Sequence, residues 1–223
     1  MTRRLQDDLL SAVHELDRRN LNRGSSGNCS VRVDVDEYLI TPSGIPSLDV
    51  TTDMLVRMAV DGEESPSPTS KQAVTASSEW RFHRDIYRAR PEIGAVVHVH
   101  STFATSLSCL RCGIPSFHYM VAVAGGEDIR CAPYATYGTS ELSSHVVAAL
   151  HARRACLMAN HGMITIGNSI AEALDLCIEV EALAEQYMNC LAVGEPVLLD
   201  RAQMAEVINK FGSYRRLRDV VAK

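Results

Sequence analysis

The chain has 223 residues, 46% hydrophobic and 22% charged, the balance of a globular protein with enough length for one substantial core. Its net charge of −5 argues against a nucleic-acid or anionic-membrane partner held by bulk charge, so an anionic ligand must be met by local devices. No apolar run approaches the roughly 20 residues that span a bilayer, and residues 1–8 carry no long apolar stretch after their arginines; a cytoplasmic setting is expected.

Leu5, Leu9, Leu10, Val13 and Leu16 recur at helical spacing and predict an amphipathic helix ending near Asn20. Gly24-Ser25-Ser26-Gly27-Asn28 interrupts it as a tight loop. Residues 30–35 alternate as a strand, 38–41 form its hairpin partner, and Pro42-Ser43-Gly44-Ile45-Pro46 is a second small-residue loop. A short helix at 52–55 and a strand at 56–60 follow. The polar segment 61–76 is expected to be a surface loop within a single domain spanning 1–223. The pattern then predicts a helix over 78–88, a strand over 95–100, a helix over 101–110, and strands near 116–123 and 129–134. A helix capped by Thr139 or Ser140 runs to 153, strands occupy 155–160 and 163–166, and helices cover 170–193 and 201–211. This mixture predicts a three-layer α/β/α sandwich with a largely antiparallel central sheet. The seven dispersed cysteines are expected to be mostly buried thiols, with Cys109 and Cys112 two small residues at a helix end or, as the alternative, a redox pair.

His98-Val99-His100 ends the apolar run Ala95-Val96-Val97. Residues two apart on a strand share a face, so both imidazoles would point to one place. His161 follows a second apolar run, and three histidines with an open fourth position form the catalytic type of zinc site. Ser77-Ser78-Glu79-Trp80 opens a helix, either as an anion site or as a plain cap, and the 24–28 and 42–44 loops are anion cradles or simple turns. Tyr119 sits among apolar residues, as a core side chain or a catalytic acid. His14, His83, His145 and His151 lie in charged helical patterns and are expected on the surface.

In order, Leu21–Asn28, Leu39–Pro46, Ser77–His83, Ala95–His100, Ile114-Pro115 with His118-Tyr119-Met120, Cys131–Thr136 and Asn160-His161-Gly162 together resemble the class II aldolase/adducin family along nearly the whole chain. The resemblance implies a zinc enzyme that cleaves a ketose 1-phosphate (L-fuculose 1-phosphate, or a 5-deoxy or methylthio pentulose 1-phosphate) to dihydroxyacetone phosphate and an aldehyde. It implies His98, His100 and His161 as metal ligands, with Glu79 beside the metal as a further ligand and general acid/base. It assigns Ser25, Asn28, Ser43, Gly44, Ser77 and Ser78 to the substrate phosphate, Tyr119 to the aldehyde oxygen from a neighbouring subunit, and Tyr214 to closing the site. It also implies a homotetramer with intersubunit active sites. Decarboxylation, 4-epimerisation and dehydration of methylthioribulose 1-phosphate are the alternatives on this scaffold. Ala76, the 61–76 loop and Tyr137 depart from the family pattern on the aldehyde side or at the entrance.

Overall fold

A computed structural model describes residues 2–61 and 74–221, with side chains for 3–61 and 74–212. Most of the predicted 61–76 loop, and the side chain of Tyr214, lie outside what is described. The centre is a seven-stranded sheet of order β3-β2-β1-β4-β7-β6-β5. Its strands are β1 (Asn28–Arg32), β2 (Glu37–Ile40), β3 (Val56–Ala59), β4 (Ala95–Val99), β5 (Arg130–Ala132), β6 (Ala155–Met158) and β7 (Gly162–Gly167). All neighbours run antiparallel except β5 and β6. The helices are α1 (Thr2–Arg18), α2 (Trp80–Ala89), α3 (Thr102–Cys109), α4 (Ser140–Ala149), α5 (Ile170–Val193) and α6 (Arg201–Val221).

Period-2 alternation divides the apolar side chains between two layers. Ala95, Val97 and Val99 of β4 pack with Leu9 and Leu16 of α1, Leu107 of α3 and Val180 of α5. Val96 of the same strand packs on the opposite face, with Phe82 and Ile86 of α2 and Val146 of α4. β4 is buried along its whole length, which is why its sequence reads as a continuous apolar run. The α/β/α sandwich is therefore observed, with helices on both faces.

Several local expectations need correction. Residues 116–123 are not a strand: Tyr119–Ala124 form a 3-10 turn whose start is capped by the His118 ring accepting from the Met120 N–H. Val121, Ala122 and Ala124 bury together there, so apolar content imitated a strand without its alternation. The strand expected at 129–134 is only Arg130–Ala132, ended by Pro133. The helix expected to reach 153 stops at Ala149. β1 begins at Asn28, earlier than expected, and this register sets Asn28 opposite His98. Of the seven cysteines, Cys29, Cys156 and Cys177 are buried, whereas Cys109, Cys112 and Cys190 are exposed. The thiols are thus not mostly buried.

Candidate active site

Three elements deliver the histidines. His98 lies on β4 on the α2 face and meets Phe82 edge-on, with ring centroids 5.5 Å apart. His100 follows just past the strand end, where its N–H donates to the Asn22 side-chain oxygen. His161 occupies the β6–β7 turn, its N–H donating to Met158 O, and the preceding Asn160 takes a left-handed φ of 55°. Gly162 lets these segments converge. A Cβ there would stand 2.4 Å from Val99 O and 3.0 Å from the His100 ring. Gly27 does the same for the first loop: its φ is +71°, and a Cβ would overlap the Asn22 side chain.

The three rings form a nearly equilateral triangle with centroid separations of 4.8, 4.9 and 5.0 Å. Glu79 closes it. As the residue before α2, its carboxylate benefits from the positive end of the helix dipole. Oε2 lies 3.1 Å from His98 Nε2, and Oε1 lies 3.2 Å from His161 Nε2. Despite the approach of His161, Oε1 is buried without a hydrogen-bond partner among the described residues. Burial acts to raise the Glu79 pKa, but the facing His98 and His161 imidazoles act more strongly and hold it well below the usual carboxylate range. Desolvation, followed by the like charges of His98 and His161, pushes His100 down to about 4, so its lone pair is available at neutral pH.

This donor set fits a single divalent cation. His98 Nδ1 lies 2.9 Å from Met163 O and donates to it, which leaves Nε2 as the ring nitrogen available to a cation. That nitrogen faces His100 Nε2 at 3.0 Å, a contact between two acceptors if both rings carry their only protons at Nδ1. Adjacent ligands of a tetrahedral ion with bonds of about 2.0–2.1 Å sit about 3.3 Å apart, close to these spacings. One ligand atom from each of Glu79, His98, His100 and His161 falls within a 4.8 Å span.

Glu79, His100 and His161 end a cleft of about 300 Å³, with the fully buried His98 behind them. Ser25, Ser43, Gly44, Ser77 and Ser78 line it together with Glu79, His100 and His161. The small-residue loops are tied to one another. Ser47 N–H donates to Gly24 O, Ser43 N–H to Thr75 O and Ser77 N–H to Thr41 O. No Lys or Arg lies among the described lining residues, so an anion there would meet hydroxyls and amides. Tyr134 and Tyr137 complete the wall.

The profile of the class II aldolase and adducin N-terminal domain matches residues 7–188. The chain belongs to the class II aldolase/adducin family. Within this metal-dependent family it is similar to 5-methylthioribulose-1-phosphate/5-deoxyribulose-1-phosphate aldolase of Rhodospirillum rubrum, with 47% identity over 94% of this chain and 92% of that one. It is also similar to L-fuculose phosphate aldolase of Escherichia coli, with 42% identity over 95% of both chains. Its fold superposes on a solved L-fuculose 1-phosphate aldolase with TM-score 0.86 and 37% identity, covering 93% of this chain and 96% of that one. The chain is thus an enzyme of the class II aldolase type.

Within this class II aldolase fold, the structure gathers His98, His100, His161, Glu79 and the serine and glycine loops, as the sequence suggests. Asn28 also lines the cleft, but its amide has partners on both sides. One Nδ2 hydrogen goes to Glu79 Oε2 at 3.0 Å, and Oδ1 accepts from His83 Nε2 at 2.6 Å, so one amide hydrogen is left for a ligand. Tyr119 is not a core residue: it is 49% exposed, stacks on Phe211, and is absent from the described lining of the cleft. His83 is not on the surface either, since its ring is fully buried behind the site. The available signal was the spacing of Glu79, His83 and Tyr87, four residues apart and therefore on one face of a helix, with Asn28 and Ser30 two apart on a strand. No such spacing singles out Asn22, whose side-chain oxygen accepts from the His100 N–H.

Proposed function

We propose that this chain is a zinc-dependent aldolase that reversibly cleaves a ketose 1-phosphate to dihydroxyacetone phosphate and an aldehyde. The observation that carries this reading is the convergence of three imidazoles and the Glu79 carboxylate on one cleft with the Ser25, Ser43–Gly44 and Ser77–Ser78 loops. His98, His100 and His161, with Glu79 beside them, would hold the cation. When bound, it supplies Lewis-acid stabilisation of the negative charge left by carbon–carbon cleavage. Three neutral imidazoles suit zinc.

The chain's own residues do the rest. Ser25, Asn28, Ser43, Gly44, Ser77 and Ser78 hold the phosphate through neutral donors; hydrogen bonds to a charged group contribute roughly 1.5–3 kcal/mol each, so several serve where no cation is present. This anchors a non-reacting end of the substrate and aligns the bond to be broken. In the condensation direction the ionised Glu79 carboxylate removes a proton from the dihydroxyacetone phosphate carbon that forms the new bond, and in cleavage the same carboxyl returns that proton by microscopic reversibility. The exposed position of Tyr119 suits service to the cleft of a neighbouring copy in a homotetramer, where it would meet the aldehyde oxygen, and Tyr214 would close over the site. Relatives named for fuculose, methylthioribulose and deoxyribulose phosphates support a panel of ketose 1-phosphates as candidate substrates.

The test is a coupled assay for dihydroxyacetone phosphate on L-fuculose 1-phosphate and on 5-deoxy and methylthio pentulose 1-phosphates, with and without a chelator. Chelator-sensitive release is expected, and the best substrate identifies the aldehyde. No release from any of them overturns the aldolase reading in favour of decarboxylation, 4-epimerisation or dehydration.

A further inference from the structure

We propose that His83 is a positioning residue that sets the orientation of the Glu79 carboxylate through a buried one-way hydrogen-bond chain: Tyr87 to Ser30, Ser30 to His83, His83 to Asn28, and Asn28 to Glu79. The inference rests on the reading of Glu79 as the acid–base group. The links are 2.8 Å from Tyr87 Oη to Ser30 Oγ, 2.7 Å from Ser30 Oγ to His83 Nδ1, 2.6 Å from His83 Nε2 to Asn28 Oδ1 and 3.0 Å from Asn28 Nδ2 to Glu79 Oε2. All five residues are buried.

The direction of the chain is forced. An ionised carboxylate only accepts, so Asn28 must present its N–H₂ to Glu79 and its oxygen to His83. His83 must then carry its proton on Nε2, which leaves Nδ1 as a lone pair. Ser30 must donate to that lone pair, and its remaining acceptor takes the Tyr87 hydroxyl hydrogen. Each donor and acceptor in the chain is used once along the line. The surrounding layer is apolar, with Tyr38, Phe82, Ile86 and Val96 packed in it. An unsatisfied buried polar group costs about 1–3 kcal/mol, so these five groups hold one another in place and resist rotation. The chain has one functional end. Glu79 Oε2 is fixed by Asn28, while Oε1 remains without a hydrogen-bond partner among the described residues. Fixing one oxygen aims the other.

The experiment measures kcat, KM and metal content for metal-loaded wild type, His83→Phe and His83→Gln. Phenylalanine keeps the stack on Phe82, whose ring centroid lies 4.7 Å from that of His83, but offers no hydrogen bond. Glutamine restores an N–H donor toward Asn28. A misplaced catalytic group costs on the order of 10²-fold, so His83→Phe is expected to lose roughly 10- to 100-fold in kcat at nearly unchanged KM and full metal content, and His83→Gln to recover much of it. A folded, metal-replete His83→Phe with wild-type kcat overturns the proposal, as does glutamine performing no better than phenylalanine. Should His83→Phe fail to fold, the ¹⁵N spectrum of the wild-type imidazole decides: a neutral Nε2–H tautomer is expected, and an Nδ1–H tautomer overturns the chain. That spectrum also stands if wild type releases no dihydroxyacetone phosphate, an outcome that removes the proposed reaction and leaves the orientation of Glu79 to be read by the tautomer.

Discussion

At the residue scale, the proposed roles separate metal holding from proton transfer, and two substitutions distinguish them. His98 has its Nδ1 proton on Met163 O and its Nε2 directed at both His100 and Glu79, so no neighbour can replace it. His98→Ala is expected to lose bound metal and turnover together, read by elemental analysis and the aldolase assay, while circular dichroism keeps the wild-type spectrum. Retained metal and activity would remove His98 from the ligand set. Glu79→Gln keeps size and the Asn28 contact but loses the proton. Positioned acid–base catalysis is worth about 10²–10⁴, and a loss of that order in kcat with the three histidines still metal-loaded is the expected result. A rate within a few-fold of wild type would exclude Glu79 from proton transfer.

At the element scale, the histidine cluster depends on how closely β4 and the β6–β7 turn approach. Gly162 is the first residue of β7, and Val99 O, which a Cβ would meet, belongs to the backbone of β4 and cannot swing aside. Gly162→Ala is therefore expected to push the His161 turn from His98 and His100. Overpacking of this kind costs typically 1–3 kcal/mol, and a drop of that size in denaturant unfolding should accompany weaker metal retention. Unchanged stability and metal affinity would show that the turn has slack which the geometry does not suggest.

At the scale of the whole molecule, His83 couples the site to global stability. Burial, assisted by the charge of nearby His98, pushes its pKa down to about 3 from an ordinary 6.5. The folded state therefore stays unprotonated where the unfolded chain binds a proton. Below 6.5 the unfolded state holds more protons, so this contribution to stability is present above that pH and is lost progressively as pH falls toward 3. Between pH 7 and 5 the share of His83 is about 2 kcal/mol. Urea unfolding of the metal-free protein at the two pH values measures it: wild type should lose stability on acidification, and His83→Phe should lose about that much less. Equal losses in both proteins would mean that His83 titrates normally in the fold.

The sequence by itself determined the local facts. The 3.6-residue spacing of Leu9, Val13 and Leu16 specified α1, the apolar run at 95–97 specified a buried strand, and the H-x-H at its end specified two imidazoles on one side. The Ser and Gly loops were legible as loops because their composition admits little else. Tertiary structure decided everything that depends on distance between segments. A 3-10 turn replaced the strand expected at 116–123, because apolar residues describe burial and not the backbone that achieves it. Tyr119, which the sequence leaves open as a core side chain or a catalytic acid, is half exposed. The start of β1 at Asn28 set that residue opposite His98, and only this register shows that Asn28 serves Glu79 as well as the cleft. His83 looked like a surface histidine between charged neighbours, yet α2 turns that face onto Ser30 and Asn28. A helix face is a periodicity that sequence can show; the surface it is pressed against is chosen by the packing of the sheet.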